Sequence, residues 1–355
     1  MHFGLSEEQS LLQESITRFL SDQIPLDEVR KVVDGDRPES DVWAGLVDLG
    51  IPGLLITEAN GGLGLSTLDA TIVAESLGYH VTPSPFLSSA AIAPVVLQSA
   101  EKHEDLLGSV AVGETRVGIA FSEAIGARHE KAIVSRNGKL HGKSLFALDT
   151  EADCYLVATP DKKIYLVQSN AEGLERKSLP TVDRTRSTCE LAYSGVSADL
   201  ISDHPEIFDQ GLDCALVVMA ADTLGAAQCA LDQAVTYAGQ RQQFNRVISS
   251  FQAVKHMCAQ MAADLEPCRS LIWFASHALA ELPDESRVTA CHTKAHLSEV
   301  GKSVSKTATE VHGGMGFTDL LGLHYWFKRI GANRQWLGAP ELIRAEAAKL
   351  EGLVA

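Results

Sequence analysis

The side chains that bind metals or act as nucleophiles are scattered along this chain. Its seven cysteines form no Cys-x-x-Cys pair, and the sequence has no His-Glu-x-x-His run and no acidic calcium-binding loop. Several ligands must converge on one ion in a metal site, so we expect no metal. The odd number and wide spacing of the cysteines predict reduced, mostly buried thiols in a reducing compartment.

Two short runs in the C-terminal half contain residue types suited to an anionic ligand. Residues 241–245 read Arg-Gln-Gln-Phe-Asn, and residues 312–316 read His-Gly-Gly-Met-Gly. An arginine fork pairs with anionic oxygens in two places, and glycine lets the backbone approach a ligand closely. Taken singly, the runs are explained as well by a surface arginine at a helix end and by a glycine that stops a helix.

Composition and charge narrow the class of protein. The chain has 355 residues, 45% hydrophobic and 21% charged, an ordinary globular mixture long enough for two or three domains. The net charge of -16 argues against nucleic acid as the main partner. The acidic N-terminus lacks the order of a signal peptide, and no apolar run reaches the roughly 18 residues of a membrane span. We therefore expect a cytoplasmic protein with no membrane partner.

The order of the predicted elements is helices, then strands, then helices. Residues 1–114 are predicted to form an N-terminal helical domain, because apolar residues recur there at helical spacing after a Ser-Glu-Glu cap signal. Residues 115–203 contain short apolar runs separated by turn signals such as Asn137-Gly138, which predict a middle antiparallel β domain. The run at 156–167 is a candidate hairpin. Predicted helices of the first domain lie at 6–20, 41–49, 67–77 and 86–97.

Residues 204–355 are predicted to be helical again. The stretch 212–239 is apolar around much of its circumference, as in a helix buried by a bundle or by neighbouring subunits. The whole chain is therefore predicted to belong to the α+β class. Further helices are predicted at 250–280, 286–310, 323–331 and 341–350.

Five blocks of this sequence, in order, resemble the acyl-CoA dehydrogenase family. They cover a first helix, a glycine loop with the helix after it, the middle β domain, the run after the long helix and a glycine turn. Their sequences are LSEEQSLLQESITRFL, LGIPGLLITEANGGLGLSTLDATIVAESLG, NGKLHGKSLFALDTEADCYLVA, YAGQRQQFNRVISSFQAVKHMCAQMA and EVHGGMGFT. The resemblance implies a C-terminal four-helix bundle and a tetrameric flavoprotein. Such a protein uses FAD to oxidise an acyl-CoA thioester to its trans-2-enoyl form and passes electrons to an electron-transferring flavoprotein.

The resemblance also implies FAD-binding residues. Arg241, Gln243 and Phe244 match the family's Arg-x-x-Phe-Gly run, which contacts the FAD of a neighbouring subunit. Asn245 stands where the family usually has glycine, and asparagine tolerates a positive φ better than most residues. The matching run continues through Phe251 and Gln252, and the glycine turn contributes Gly313 and Gly314.

The loop that cradles the flavin ring departs from the family pattern. Residues 122–129 read Ser-Glu-Ala-Ile-Gly-Ala-Arg-His where the family has Thr-Glu-Pro-Gly-Ala-Gly-Ser-Asp, so Ser122 keeps a hydroxyl but the loop residues differ. Leu145 and Ala147 are predicted at the positions of the family's flavin-facing Trp and Thr. Trp336 is interpreted as a packed core residue rather than as a replacement for that Trp.

The catalytic carboxylate of the family also has no counterpart. One branch carries a Glu before a glycine near the C-terminus, where this chain has Leu337. Another branch carries it early in the long helix, where this chain has Ala215 and Leu216. Neither leucine nor alanine accepts a proton. Asp213 is a weak candidate for a replacement base, but it is more readily interpreted, with Asp222 and Glu341, as part of a solvated or salt-bridged set.

The chain keeps the family's residues at the FAD-binding arm and lacks those of the ring pocket and the catalytic Glu. This suggests a subunit that supplies the arm while a related partner supplies the ring pocket and the Glu. The runs VDRTRSTCEL and FQAVKH resemble the smaller subunit of bacterial heteromeric, α2β2 enzymes that act on steroid-derived thioesters. Two alternatives stay open. One is a self-sufficient homo-oligomer with a non-standard base, and the other is a structural paralogue without a flavin role.

Overall fold

The computed structural model describes residues 4–126 and 132–354. The N-terminal helical domain begins as predicted, because the Ser6 hydroxyl accepts from the Gln9 amide while the Gln9 side chain accepts from the Ser6 amide. The sequence pattern did not predict two short helices, α2 at Leu26–Asp34 and α6 at Glu104–Ala111. Helical segments of this domain are α1 Glu7–Gln23, α2 Leu26–Asp34, α3 Glu39–Asp48, α4 Thr67–Tyr79, a π-helical segment Phe86–Ile92, α5 Ala93–Ser99 and α6 Glu104–Ala111.

The middle domain is one sheet with the order β6-β7-β3-β1-β4-β5-β8, and β2 pairs with β3. The predicted hairpin is present as β4–β5 within residues 154–168, and the turn signal Asn137-Gly138 joins a second hairpin, β2–β3. The prediction of an antiparallel sheet needs one correction, because β1 and β4 pair in parallel. After β1 the chain forms β2 and β3, and β3 pairs with one edge of β1. The next strand, β4, pairs with the other edge of β1, and this long connection permits parallel pairing. The strands are β1 Val117–Ala120, β2 Val134–Arg136, β3 Lys139–Leu148, β4 Cys154–Ala158, β5 Ile164–Gln168, β6 Leu174–Ser178, β7 Thr188–Ser197 and β8 Asp199–Ser202.

The C-terminal domain is helical, and its long helix α7 packs against α8, α9 and α10. By length and composition α7 would suffice to cross a membrane, but 94% of its apolar window is buried inside the protein. It is thus the core helix of the bundle. A two-stranded ribbon, β9 Gln242–Gln243 and β10 Arg246–Val247, follows α7. The helices are α7 Pro205–Gln240, α8 Gln252–Glu281, α9 Pro283–His312, α10 Leu323–Gln335 and α11 Pro340–Leu350.

The helical domains meet where α4 crosses α7 at very short range. A methyl group on Gly225 would lie 1.8 Å from the Glu75 carbonyl oxygen, and one on Gly78 would lie 2.0 Å from the Asp222 carbonyl oxygen. Glycine is therefore required at both positions so that the two backbones can touch. One apolar core runs through both helical domains and one face of the sheet, while a second core covers the opposite sheet face.

Candidate functional site

A cavity of about 470 Å³ lies between one face of the sheet and the segment that joins α10 to α11. Its walls are largely apolar, and among the described lining residues none has an ionisable side chain. Volumes in this range accommodate small-molecule ligands. The lining residues are Ile119, Phe121, Ser122, Ile125, Phe146, Leu148, Thr181, Val182, Gly331, Ala332, Gln335, Trp336, Leu337, Gly338, Ala339 and Leu342.

A bulge in β3 decides which of its side chains reach the cavity. The register against β7 shifts between Ser144 and Ala147, and Phe146 within this shift has a φ of 53°. Phe146 and Leu148 line the cavity, whereas Ala147 is fully buried in the core on the opposite face. Leu145 and Ala147, predicted at the positions of the family's flavin-facing Trp and Thr, therefore do not line this cavity. An extra residue in one strand changes the side-chain alternation, and sequence alternation alone does not reveal it.

The loop after β1 contributes the cavity's Ser122, which is buried. This loop is tied to the sheet, because the Glu123 carboxylate accepts a hydrogen bond of 2.9 Å from the Leu145 amide. The structure thus places the predicted Ser122 hydroxyl at the cavity. The other altered loop residues Ala127, Arg128 and His129 lie outside the described residues.

The segment between α10 and α11 places Trp336 and Leu337 in the cavity wall. Leu337 is 7% exposed and has a φ of 54°, and the following Gly338 has a φ of 112°. Two successive positive φ values turn the chain sharply here and hold the Leu337 side chain at the cavity. Trp336 packs against the main core, as predicted, and it also lines the cavity, with the Arg186 guanidinium 5.4 Å from its ring centroid.

The carboxylates considered as replacement bases do not line the cavity. Asp213 is buried in an ion pair with Arg287, and burial raises the pKa of Asp213 to about 6. Glu341 is bound to Arg334 at 2.9 Å. Ala215, at the alternative position for the family's Glu, is fully buried in the core of α7. The interpretation of these carboxylates as salt-bridged groups is confirmed.

The predicted FAD-binding arm forms the ribbon that follows α7. Arg241 and Gln243 are exposed, and Phe244 at the ribbon turn is 86% exposed. The turn places Phe244 and Asn245 at φ values of 52° and 60°, so the asparagine adopts the predicted left-handed conformation. Beneath the turn, the Phe251 ring lies 6.1 Å from the Phe244 ring, centroid to centroid.

The end of the arm continues into α8 through Gln252. Its side-chain amide lies 2.9 Å from the His256 ring nitrogen on the next turn. Gln252 is exposed, as are the other polar residues of the arm. None of the arm residues lines the cavity. The ribbon therefore exposes its polar and aromatic groups to solvent.

The glycine turn lies beside the base of this arm. The rings of Tyr237, at the end of α7, and His312, at the end of α9, have centroids 4.7 Å apart. Gly313 has a φ of 58°, which favours glycine. Gly314 is exposed, and a side chain there would meet no described atom within 4 Å. Contacts within this chain do not require glycine at position 314, which is the situation expected where a second molecule approaches the backbone closely.

A buried polar network, missed by the sequence pattern, fastens α10 beneath the cavity. The Asp222 carboxylate of α7 lies 2.8 Å from the Arg186 guanidinium and 2.9 Å from that of Arg329. Asn333 donates to the same carboxylate at 2.7 Å, and the Lys294 amine donates to the Asn333 carbonyl oxygen. The arginine pairing holds the pKa of Asp222 at about 2. The network joins the middle domain to the bundle and positions the segment that carries Trp336 and Leu337.

Replacing Lys294 with methionine is expected to remove a rise in stability with pH. Burial, with Arg186 and Arg334 nearby, lowers the pKa of Lys294 to about 7, whereas an unfolded lysine titrates near 10.4. Between these values the unfolded chain binds more protons, so the free energy of unfolding rises with pH. Urea unfolding from pH 7 to 8.5 measures this rise. Lys306→Met, at an exposed position of the same helix, should retain it, and an unchanged rise in Lys294→Met would contradict the assignment.

Comparisons with known proteins agree with this architecture. The model of the acyl-CoA dehydrogenase N-terminal domain matches residues 6–114, and the model of the acyl-CoA dehydrogenase C-terminal domain matches residues 207–350. The acyl-CoA dehydrogenase IpdE2 of Mycolicibacterium smegmatis is 27% identical over 97% of this chain and 99% of its own length. The acyl-CoA dehydrogenase FadE34 of Mycobacterium tuberculosis is 27% identical over 83% of this chain and 41% of its own length.

Solved structures show the same fold. A variant of the Tcur3481–Tcur3483 steroid ACAD superposes with a TM-score of 0.89 at 26% identity, covering 98% of this chain and 99% of that chain. The ChsE4–ChsE5 complex of Mycobacterium tuberculosis has a chain that superposes with a TM-score of 0.89 at 21% identity, covering both chains completely. Family models match both helical domains, and an acyl-CoA dehydrogenase aligns with this chain over nearly the full length of both. This chain therefore belongs to the acyl-CoA dehydrogenase family of FAD-dependent oxidoreductases.

Proposed function

We propose that this chain is one subunit of a heteromeric acyl-CoA dehydrogenase in which a related partner supplies the catalytic Glu. The observation that carries the proposal is the cavity wall, where Leu337 stands at the position of the family's base and no described lining residue is ionisable. Removal of the thioester's α proton requires a carboxylate within hydrogen-bond reach. A leucine at that point leaves this chain's own cavity without a proton acceptor.

The exposed arm fits the dinucleotide part of FAD. Among the described residues, the Arg241 side chain has no hydrogen-bond or ion-pair partner, and its fork is suited to pyrophosphate oxygens. Phe244 and the open backbone at Gly314 offer an apolar contact and a close approach beside it. We assign these residues, with Gln243, Phe251, Gln252 and Gly313, to FAD held mainly by the partner. The flavin supplies the hydride acceptor, and this chain orients it.

The two alternatives predict different chemistry. A self-sufficient enzyme would use Asp213, but that carboxylate is ion-paired to Arg287 and does not line the cavity. A structural paralogue without a flavin role would not require an exposed, unpaired arginine beside an open glycine turn. Both alternatives are therefore less favoured than the heteromer.

The relatives suggest the substrate class and setting. The similarity to the steroid ACAD supports a bulky, ring-containing acyl-CoA as the substrate of the complex. We propose that electrons leave through an electron-transferring flavoprotein and that the complex works in the cytoplasm. If the purified complex oxidised straight-chain thioesters alone, the assignment of a steroid-type substrate would be wrong.

Flavin content tests the subunit proposal directly. The chain is purified alone and after co-expression with a related acyl-CoA dehydrogenase encoded beside it, and bound FAD and acyl-CoA-dependent dye reduction are measured. The expected result is a colourless, inactive chain alone and a yellow, active complex. A chain that alone binds FAD stoichiometrically and reduces the dye would refute the need for a partner.

A further inference from the structure

A second, smaller cavity of about 180 Å³ lies beside the main one and has a different chemical character. The two share Ile125, Leu337 and Leu342 as wall residues. The smaller cavity adds charged side chains to this apolar wall, namely Lys162, Arg287 and Glu346. A mainly apolar cavity therefore adjoins one that contains charged side chains, and the wall between them includes Leu337.

Arg287 and Glu346 lie close enough together for one ligand atom beside them to contact both. The Arg287 Nη1 atom donates to Asp213, whereas its Nη2 atom lies 3.8 Å from the Glu346 carboxylate, beyond the range of a hydrogen bond. The Arg287 side chain is 19% exposed and that of Glu346 is 39% exposed, so the gap is partly shielded from water. A guanidinium has five N–H donors, so Nη2 retains capacity for a further acceptor.

The Lys162 amine is already bound by other residues of this chain and is not free to bind a ligand in the smaller cavity. Its amine lies 2.8 and 3.0 Å from the two carboxylate oxygens of Asp209, and it also lies 5.7 Å from the centroid of the Phe208 ring. These contacts direct the amine toward α7. The pair Arg287 and Glu346 is therefore the part of the smaller cavity that is arranged to recognise a ligand.

The chemistry of this pair selects a hydroxyl group. An oxygen placed about 2.8 Å from both Nη2 and the Glu346 carboxylate would accept from arginine and donate to glutamate. A carboxylate ligand would be repelled by Glu346, and a methyl group would offer neither an acceptor to Arg287 nor a donor to Glu346. We propose that the smaller cavity recognises a hydroxyl at the far end of a bulky acyl group whose apolar body occupies the main cavity. This deepens the proposed function only in taking the ligand to be an acyl-CoA, and it concerns binding rather than the source of the base.

The test compares two thioesters that differ by one hydroxyl. The CoA thioesters of 5β-cholanic acid and lithocholic acid carry the same tetracyclic body, and lithocholic acid adds a hydroxyl on the ring farthest from the thioester. Binding to the full chain, in whichever assembly it purifies, is measured by calorimetry without an electron acceptor. The hydroxylated thioester is expected to bind about ten- to 150-fold more tightly, as for one hydrogen bond to a charged group. Equal affinities would overturn the proposal.

Two variants test whether Glu346 causes the preference for the hydroxylated thioester. Glu346→Met is expected to reduce the preference to less than twofold, whereas Lys162→Met should preserve it. The Glu346 side chain is partly exposed, so its replacement leaves the buried pair of Arg287 and Asp213 in place. An unchanged preference in Glu346→Met would show that the hydroxyl binds elsewhere.

A third variant closes both cavities. Leu342 is 47% exposed and lines both, so Leu342→Trp should weaken both thioesters at least tenfold. Leu350→Trp, 50% exposed on the same helix and outside both linings, is the matched control. Unaltered binding in Leu342→Trp would refute the location. These outcomes are independent of flavin content, so a chain that proved yellow and active alone would refute the heteromer and leave the hydroxyl preference to be judged on its own.

Discussion

Asp222→Ala is expected to lower the free energy of unfolding by about 3–5 kcal/mol, because it leaves two buried arginines without a counter-charge. Arg186 and Arg329 both pair with this carboxylate, and the Arg329 side chain is 2% exposed. Asn333 also loses its acceptor. Since the pKa of Asp222 is held at about 2, the carboxylate is charged across the ordinary pH range, and the loss should be similar at pH 6 and pH 8.

Urea unfolding followed by circular dichroism measures this loss. The matched control is Asp209→Ala on the same helix, whose carboxylate pairs with Lys162 and is 32% exposed. An exposed pair of this kind contributes at most about 1 kcal/mol. If the two variants unfolded within about 1 kcal/mol of each other, the network would not be what fastens α10 to α7.

Arg241→Ala is expected to weaken FAD binding by the complex about ten- to 150-fold. The proposed contact is a charge-assisted hydrogen bond to pyrophosphate, which is worth about 1.5–3 kcal/mol, and about 1.4 kcal/mol corresponds to a factor of ten. Arg241 is exposed, so its replacement should leave the fold intact. Flavin fluorescence titration gives the affinity, and the absorbance ratio of the purified complex gives the FAD content.

A neighbouring cation provides the control for this experiment. Lys255→Ala removes one exposed positive charge from the start of α8 and should leave the FAD affinity within about twofold, because no direct contact with FAD is assigned to it and salt screens the field of an exposed charge. Unchanged FAD content in Arg241→Ala would show that the arm serves as scaffold only, and the structural paralogue would then be the better interpretation.

Much of the fold is determined by local features of the sequence. The Ser6 hydroxyl caps its own helix, and Asn137-Gly138 closes a hairpin because both residues accept a positive φ. The long apolar stretch of α7 predicts a helix buried in a bundle, since its apolar surface has to be covered on all sides. The residue types at the two positions where the resemblance places the family's Glu, Leu337 and Ala215, can also be read from the sequence, because they do not depend on geometry.

The tertiary structure decided what local patterns do not encode. The bulge in β3 turned Phe146, rather than Leu145 or Ala147, toward the cavity, because pairing with β7 sets the strand register. Arg329 and Asn333 both donate to Asp222, although each lies more than 100 positions after it in the sequence. Only the packing of α10 against α7 brings these three residues into one network. The same packing placed Leu337 at a cavity wall and left Asp213 in an ion pair outside it. The sequence thus determined the elements, whereas long-range packing determined which side chains share the cavity.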